Sequence, residues 1–124
     1  MPLVTIILGT RPEAIKLAPV IIKFKNSGKF IVRLILTGQH KEMVAQVLDL
    51  FNLRADLDLN LMKKKQSLTH ITCDTLIGLK REFTQFKPDL VIVQGDTSTA
   101  FSGSLAAFYE KIPIAHVEAG LRTQ

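Results

Sequence analysis

Four apolar runs each break off into a polar loop that contains glycine. They are Leu3 to Leu8 before Gly9-Thr10-Arg11-Pro12-Glu13, Phe30 to Leu36 before Thr37-Gly38-Gln39-His40, Asp89 to Gln94 before Gly95-Asp96-Thr97, and Pro113 to Val117 before Glu118-Ala119-Gly120-Leu121-Arg122. Strands separated by connections of helical length pair in parallel through right-handed crossovers. The pattern therefore predicts an α/β fold built on a doubly wound parallel sheet. In such a sheet the loops that follow the strands share one edge, where open parallel sheets bind ligands.

Local signals agree with that plan. The run from Leu3 to Leu8 is too uniformly apolar for a sheet with one wet face, which predicts a strand buried on both sides. Thr10 with Glu13 three residues later fits a capping box, Pro12 suits a first turn, and Ala14, Leu17, Ala18, Ile21 and Phe24 form an apolar stripe that ends at Asn26-Ser27-Gly28. Val44, Val47, Leu48 and Phe51 repeat the helical spacing after the second strand. Ala55 to Leu59 alternates like a short edge strand. Ser67 is placed to cap a third helix running to about Phe86, with Leu68, Ile71, Leu79, Phe83 and Phe86 inward. A fourth helix from Thr97 to about Tyr109 is expected to face Phe101, Leu105 and Phe108 inward.

Composition excludes several classes. With 47% hydrophobic and 22% charged residues, the chain of 124 residues reads as one globular domain. Charged residues interrupt each apolar stretch before it reaches the ~20 residues of a membrane span, and the N-terminus lacks the pattern of a secretory signal, so the expected compartment is the cytoplasm with no membrane partner. The balance of 16 Lys+Arg against 11 Asp+Glu gives +5. Apart from Lys63-Lys64-Lys65, read as a solvated loop, the basic residues are scattered and not interleaved with aromatics, which argues against nucleic acid. Cys73 has no second cysteine to pair with and is expected as a small buried filler, with an inert exposed thiol as the alternative.

Chemistry concentrates in the loops. Arg11 lies where the unpaired N–H groups and dipole of a helix start favour an anion, and Lys16, one turn later, leans back toward the same place. Arg11 paired with Glu13, and Lys16 as a solvated charge, are the bland alternatives. Asp96 is either the N-cap of the helix that follows or an acid/base carboxylate, with Thr97 and Ser98 available to share the capping. Glu118 emerges at the same edge, and two such acids in unlike surroundings can remove one proton and deliver another. His116 reads as a core or edge histidine. Gln39 and His40 are open to a ligand or to a plain loop role, and Arg122 to a phosphate or to Glu118. The glycine-rich fingerprint of dinucleotide sites is absent.

Taken jointly, Gly9-Thr10-Arg11-Pro12-Glu13-Ala14-Ile15-Lys16, Gln39-His40, Gly95-Asp96-Thr97 with Ser104-Leu105-Ala106-Ala107-Phe108-Tyr109, and His116-Val117-Glu118-Ala119-Gly120-Leu121-Arg122-Thr123 closely resemble the non-hydrolysing UDP-N-acetylglucosamine 2-epimerases. The resemblance implies a Rossmann-like N-terminal domain of a two-domain GT-B fold. It implies inversion at C2 of the sugar in UDP-GlcNAc, through elimination of UDP and its re-addition, with neither nicotinamide nor metal as cofactor. On it, Arg11 and Lys16 match basic active-site positions, Asp96 and Glu118 match carboxylates implicated in acid/base work, and the partners are a UDP-sugar and a second copy in a homodimer.

Two departures carry consequences. Gln94 stands where many members have His, and the chain ends before the family's next acidic segment and its second, nucleotide-binding domain, so an N-terminal piece that is silent alone is expected. A hydrolysing epimerase, a GT-B glycosyltransferase, and a non-catalytic nucleotide-sugar module or split subunit remain the competing readings.

Overall fold

The computed structural model describes residues 1–61 and 66–118; the Lys63-Lys64-Lys65 run and the loop carrying Gly120 and Arg122 lie outside them. The elements run β1 (Leu3–Leu8), α1 (Arg11–Ser27), β2 (Ile31–Leu36), α2 (Lys41–Leu50), β3 (Leu57–Asp58), α3 (Leu68–Gln85), β4 (Leu90–Gln94), α4 (Ser98–Tyr109) and β5 (Ile114–Val117). The strands form one parallel sheet in the order β3-β2-β1-β4-β5. β1 is central, pairing Leu3 through Leu8 with Ile31 through Leu36 on one side and Val4 to Ile6 with Leu90 to Ile92 on the other. This is the doubly wound plan the apolar runs predict.

Alternation along β1 sorts the two cores. Val4, Ile6 and Leu8 join Leu17, Ile21, Val44 and Leu48 beneath α1 and α2. Ile7 points the other way, toward Leu79, Phe83, Ala100 and Ala107 beneath α3 and α4. Burying both faces is what makes an all-parallel strand read as uniformly apolar. Gly28, at φ +69°, ends α1 in the left-handed region, where glycine carries no Cβ penalty.

The fourth helix differs from expectation. Phe101 and Phe108 are exposed, and the side of α4 turned to the sheet carries Thr99, Ala100, Ser102, Gly103, Ala106 and Ala107. A Cβ at Gly103 would stand 3.0 Å from Ile7 Cδ1 and 3.1 Å from Val93 Cγ1, so only small residues let this helix approach β1 and β4. Phenylalanines seven apart keep helical periodicity but occupy the opposite side.

Smaller corrections follow the same logic. Leu68, at the first turn of α3, is exposed, and Phe86 ends α3 half-exposed beneath the Arg33 guanidinium, 4.0 Å from its ring centre. Cys73 is exposed on α3 rather than buried. Among the described residues no helix is long and apolar enough to cross a membrane.

Candidate active site at the carboxyl edge of the sheet

The chain leaves β1 for α1 on one face and leaves the adjacent β4 for α4 on the other. Between these two loops the winding reverses, and a crevice opens at the carboxyl ends of the strands. Arg11, Lys16, Gln39, His40, Asp96 and Glu118 all lie at this edge or in the first turns beyond it. Arg122 lies outside the described residues.

The acidic and basic candidates from opposite ends of the chain meet here. Lys16 Nζ pairs with Glu118 Oε2, and Gln94 Nε2 lies 3.4 Å from the same oxygen. Gln94 ends β4 almost wholly buried, beside Val117 in the strand register, so it meets the carboxylate from beneath. Glu118 adopts φ +53°, a left-handed conformation that costs a non-glycine residue on the order of 1 kcal/mol and is a feature that clusters at functional sites. His40 is the second candidate in that region, at φ +49°, exposed at the start of α2.

Asp96 is relieved of capping. Thr97 is the N-cap of α4, its hydroxyl accepting from Ala100 N at 3.3 Å, and the Asp96 carboxylate is left at the surface. It lines a hollow of about 370 Å³ with Gly95, Thr97, Phe101, Ser104 and His116. His116 is exposed on the edge strand β5, the edge position the sequence allowed, and its Nε2 bonds the Gly95 carbonyl, bracing the backbone just before Asp96. Arg11 is exposed in the first turn of α1, and among the described residues it forms no ion pair; Glu13 is committed elsewhere.

Three residues that sequence reasoning passed over build the floor. Glu13 is 1% exposed, and its carboxylate accepts from Gly9 N at 3.2 Å, Thr10 N at 3.1 Å, Thr10 Oγ1 at 2.5 Å and Thr97 Oγ1 at 3.2 Å. Burial pushes its pKa above the ordinary 4.5, an effect these donors only partly offset. Thr99 Oγ1 donates to Gln39 Oε1 at 2.8 Å and lies 3.2 Å from Thr37 Oγ1. Gln39 is thus half committed to holding the second loop against α4. The sequence signal for Glu13 was the capping box, which explains one of its four bonds; Thr37 offered only a hydroxyl beside Gly38, and Thr99 one more hydroxyl after Thr97 and Ser98.

Hollows away from this edge differ in kind. One of about 440 Å³, lined by Pro19, Val20, Lys23, Phe24, Ser27 and Phe30, lies at the far end of α1 and is almost entirely apolar. Among the described residues no group of three or more His, Cys, Asp or Glu side chains is arranged to hold a metal ion.

Comparison with known proteins bears on the family and the fold. A family model described as UDP-N-acetylglucosamine 2-epimerase matches residues 22–124. The UDP-N-acetylglucosamine 2-epimerase of Salmonella borreze is 53% identical over 123 residues, 99% of this chain and 32% of that protein. That of Bacillus subtilis is 50% identical over 117 residues, 94% of this chain and 31% of that protein. The crystal structure of UDP-GlcNAc 2-epimerase from Neisseria meningitidis bound to UDP-GlcNAc superposes with a TM-score of 0.91 at 52% identity, covering 99% of this chain and 33% of that one. The chain therefore spans about a third of the length of the relatives it matches.

Proposed function

The chain belongs to the UDP-N-acetylglucosamine 2-epimerase family, and from that premise we propose that it forms the part of such an enzyme that inverts C2 of UDP-GlcNAc to give UDP-ManNAc. The observation that carries this is the meeting of Lys16 and Glu118 at the carboxyl edge of the sheet, one strand from Asp96. A C2–H bond with no neighbouring carbonyl is a weak acid, so its cleavage requires a placed base and a stabilised leaving group.

In the forward direction a carboxylate takes the C2 proton while the C1–O bond breaks, leaving a 2-acetamidoglucal and UDP. Arg11 and Lys16, at the start of α1, balance the charge of the departing diphosphate. UDP then adds back at C1 as a proton is delivered to the other face of C2, so atoms and charge balance with no redox partner. Asp96 and Glu118 share the acid and base roles; Gln39, His40 and Arg122 complete the substrate contacts. We assign residues 1–124 to an N-terminal Rossmann-like domain of a two-domain GT-B enzyme. A UDP-sugar is its ligand, a homodimer its working assembly and the cytoplasm its compartment.

Proton NMR of UDP-GlcNAc incubated in D₂O with the natural polypeptide containing this chain tests the proposal. Expected are the C2 epimer and deuterium at C2, with Asp96→Asn and Glu118→Gln each lowering turnover by about 100-fold or more while UDP binding persists. Wild-type rates in both variants overturn the acid/base assignment, and free ManNAc as product replaces the reading with hydrolysis. The 124-residue chain alone is expected to give no interconversion.

A further inference from the structure

The geometry points to Glu13 as a positioning residue: its buried carboxylate links the β1 loop carrying Arg11 to the β4 loop carrying Asp96, and so sets the width of the crevice between them. Helix capping does not account for its surroundings. A capping box needs one bond from the glutamate back to the N-cap N–H, which is met by Thr10 N at 3.1 Å, and leaves the rest of the carboxylate free for solvent. Here the side chain is shut away at 1% exposure and receives three further donors, one of them from a residue 84 positions distant.

That distant donor, Thr97, is also the N-cap of α4 and the immediate neighbour of Asp96. One carboxylate therefore fixes the first turn of α1 and the start of α4, the two helices whose origins form the walls of the crevice. Burying a carboxylate is unfavourable unless its oxygens are satisfied, so Glu13 holds its donors together: moving either wall away would leave a buried charge short of a partner. Neither Arg11 nor Asp96 is braced through its own side chain among the described residues, which makes the backbone beneath them the determinant of where they point.

The expected effect on catalysis rests on the proposed epimerase reading, so the test separates the two. In the natural polypeptide, Thr97→Val and Glu13→Gln are each expected to lower kcat for UDP-GlcNAc by roughly 10- to 100-fold, the loss that misplacement of about 1 Å causes, with a much smaller change in KM. The double variant is expected to be no worse than the worse single, and Thr97→Ser, which keeps the hydroxyl, close to wild type. Unchanged kcat, losses that multiply, or equal damage from Thr97→Ser and Thr97→Val would each overturn the role. If the wild-type protein does not interconvert the sugars, the epimerase reading falls by itself, and amide exchange of Gly95 to Ser98 decides the clasp. Faster exchange there in Glu13→Gln, or in Thr97→Val if the first variant does not fold, supports it; unchanged exchange removes it.

Discussion

Lys16 and Glu118, 102 positions apart, form an ion pair that bridges α1 and the end of β5 at the carboxyl edge of the sheet. Their side chains are 46% and 52% exposed, so the pair sits in a high-dielectric rim. Such a pair contributes about 0–1 kcal/mol to stability, too little to explain why Glu118 is held in a left-handed conformation. On the proposed reading, an entering diphosphate would engage the same ammonium and leave Glu118 without that partner.

Lys16→Met is accordingly expected to leave the thermal midpoint of the natural polypeptide nearly unchanged while weakening UDP binding by roughly 10- to 100-fold, the worth of one charge-assisted hydrogen bond. Calorimetric titration at two salt concentrations checks this. Wild-type UDP affinity, or a large fall in stability, would count against a ligand role for Lys16.

Gly9 makes a second, steric prediction. A Cβ there would stand 2.0 Å from Thr99 Oγ1 and 2.8 Å from Gln39 Oε1, closer than real contacts allow, so Gly9→Ala must displace α4 or the β2 loop. The expected cost is about 1–3 kcal/mol by chemical denaturation. Because the displaced atoms belong to Thr99, adding Thr99→Gly should recover part of the loss, whereas two costs that simply add would show that the clash lies elsewhere.

What the sequence revealed and what it hid divide along one physical line. The alternation of strands and helices, the helix starts and the shared edge were legible because they rest on local signals: uniform apolar runs, Thr10 and Ser67 at caps, Gly28 at a stop. The inward side of α4 was not, because the close approach of that helix to β1 and β4 is set by Ile7 and Val93, and no local pattern in Phe101 or Phe108 reports it. Asp96 and Glu118 stood out as charges at strand ends, and Lys16 as a charge one turn into the helix after the first strand. Glu13 did not, since its local partner Thr10 already supplied a sufficient reason for its presence, and Thr97 becomes its neighbour only once the sheet is formed.

Glu13 also gives stability a pH dependence of definite sign. Its folded pKa is raised above 4.5, chiefly by burial, so the protonated form is favoured by folding. Its contribution is fully present below the unfolded pKa and is lost as pH rises through the raised folded value. Denaturation of wild type and Glu13→Gln over the range upward from about pH 4.5 should show a downward slope in the wild type that is missing in the variant. Parallel pH profiles would contradict the raised pKa.

The pair between Arg33 and Glu82 is of the opposite kind to Lys16 and Glu118. Arg33, the one charge in β2, donates Nε at 2.5 Å and Nη2 at 3.1 Å to a Glu82 side chain that is 3% exposed, with Phe86 stacked on the guanidinium. Removing Arg33 leaves a buried carboxylate unpaired, so Arg33→Met is expected to cost about 3–5 kcal/mol, measured by denaturant titration. Removing both charges in Arg33→Met/Glu82→Leu leaves no stranded ion, so the double variant should be more stable than the single. Since β2 and α3 meet at this pair well away from the crevice loops, UDP affinity of the double variant should match wild type. A double variant less stable than Arg33→Met would show that the two charges stabilise the fold by more than they cost to bury.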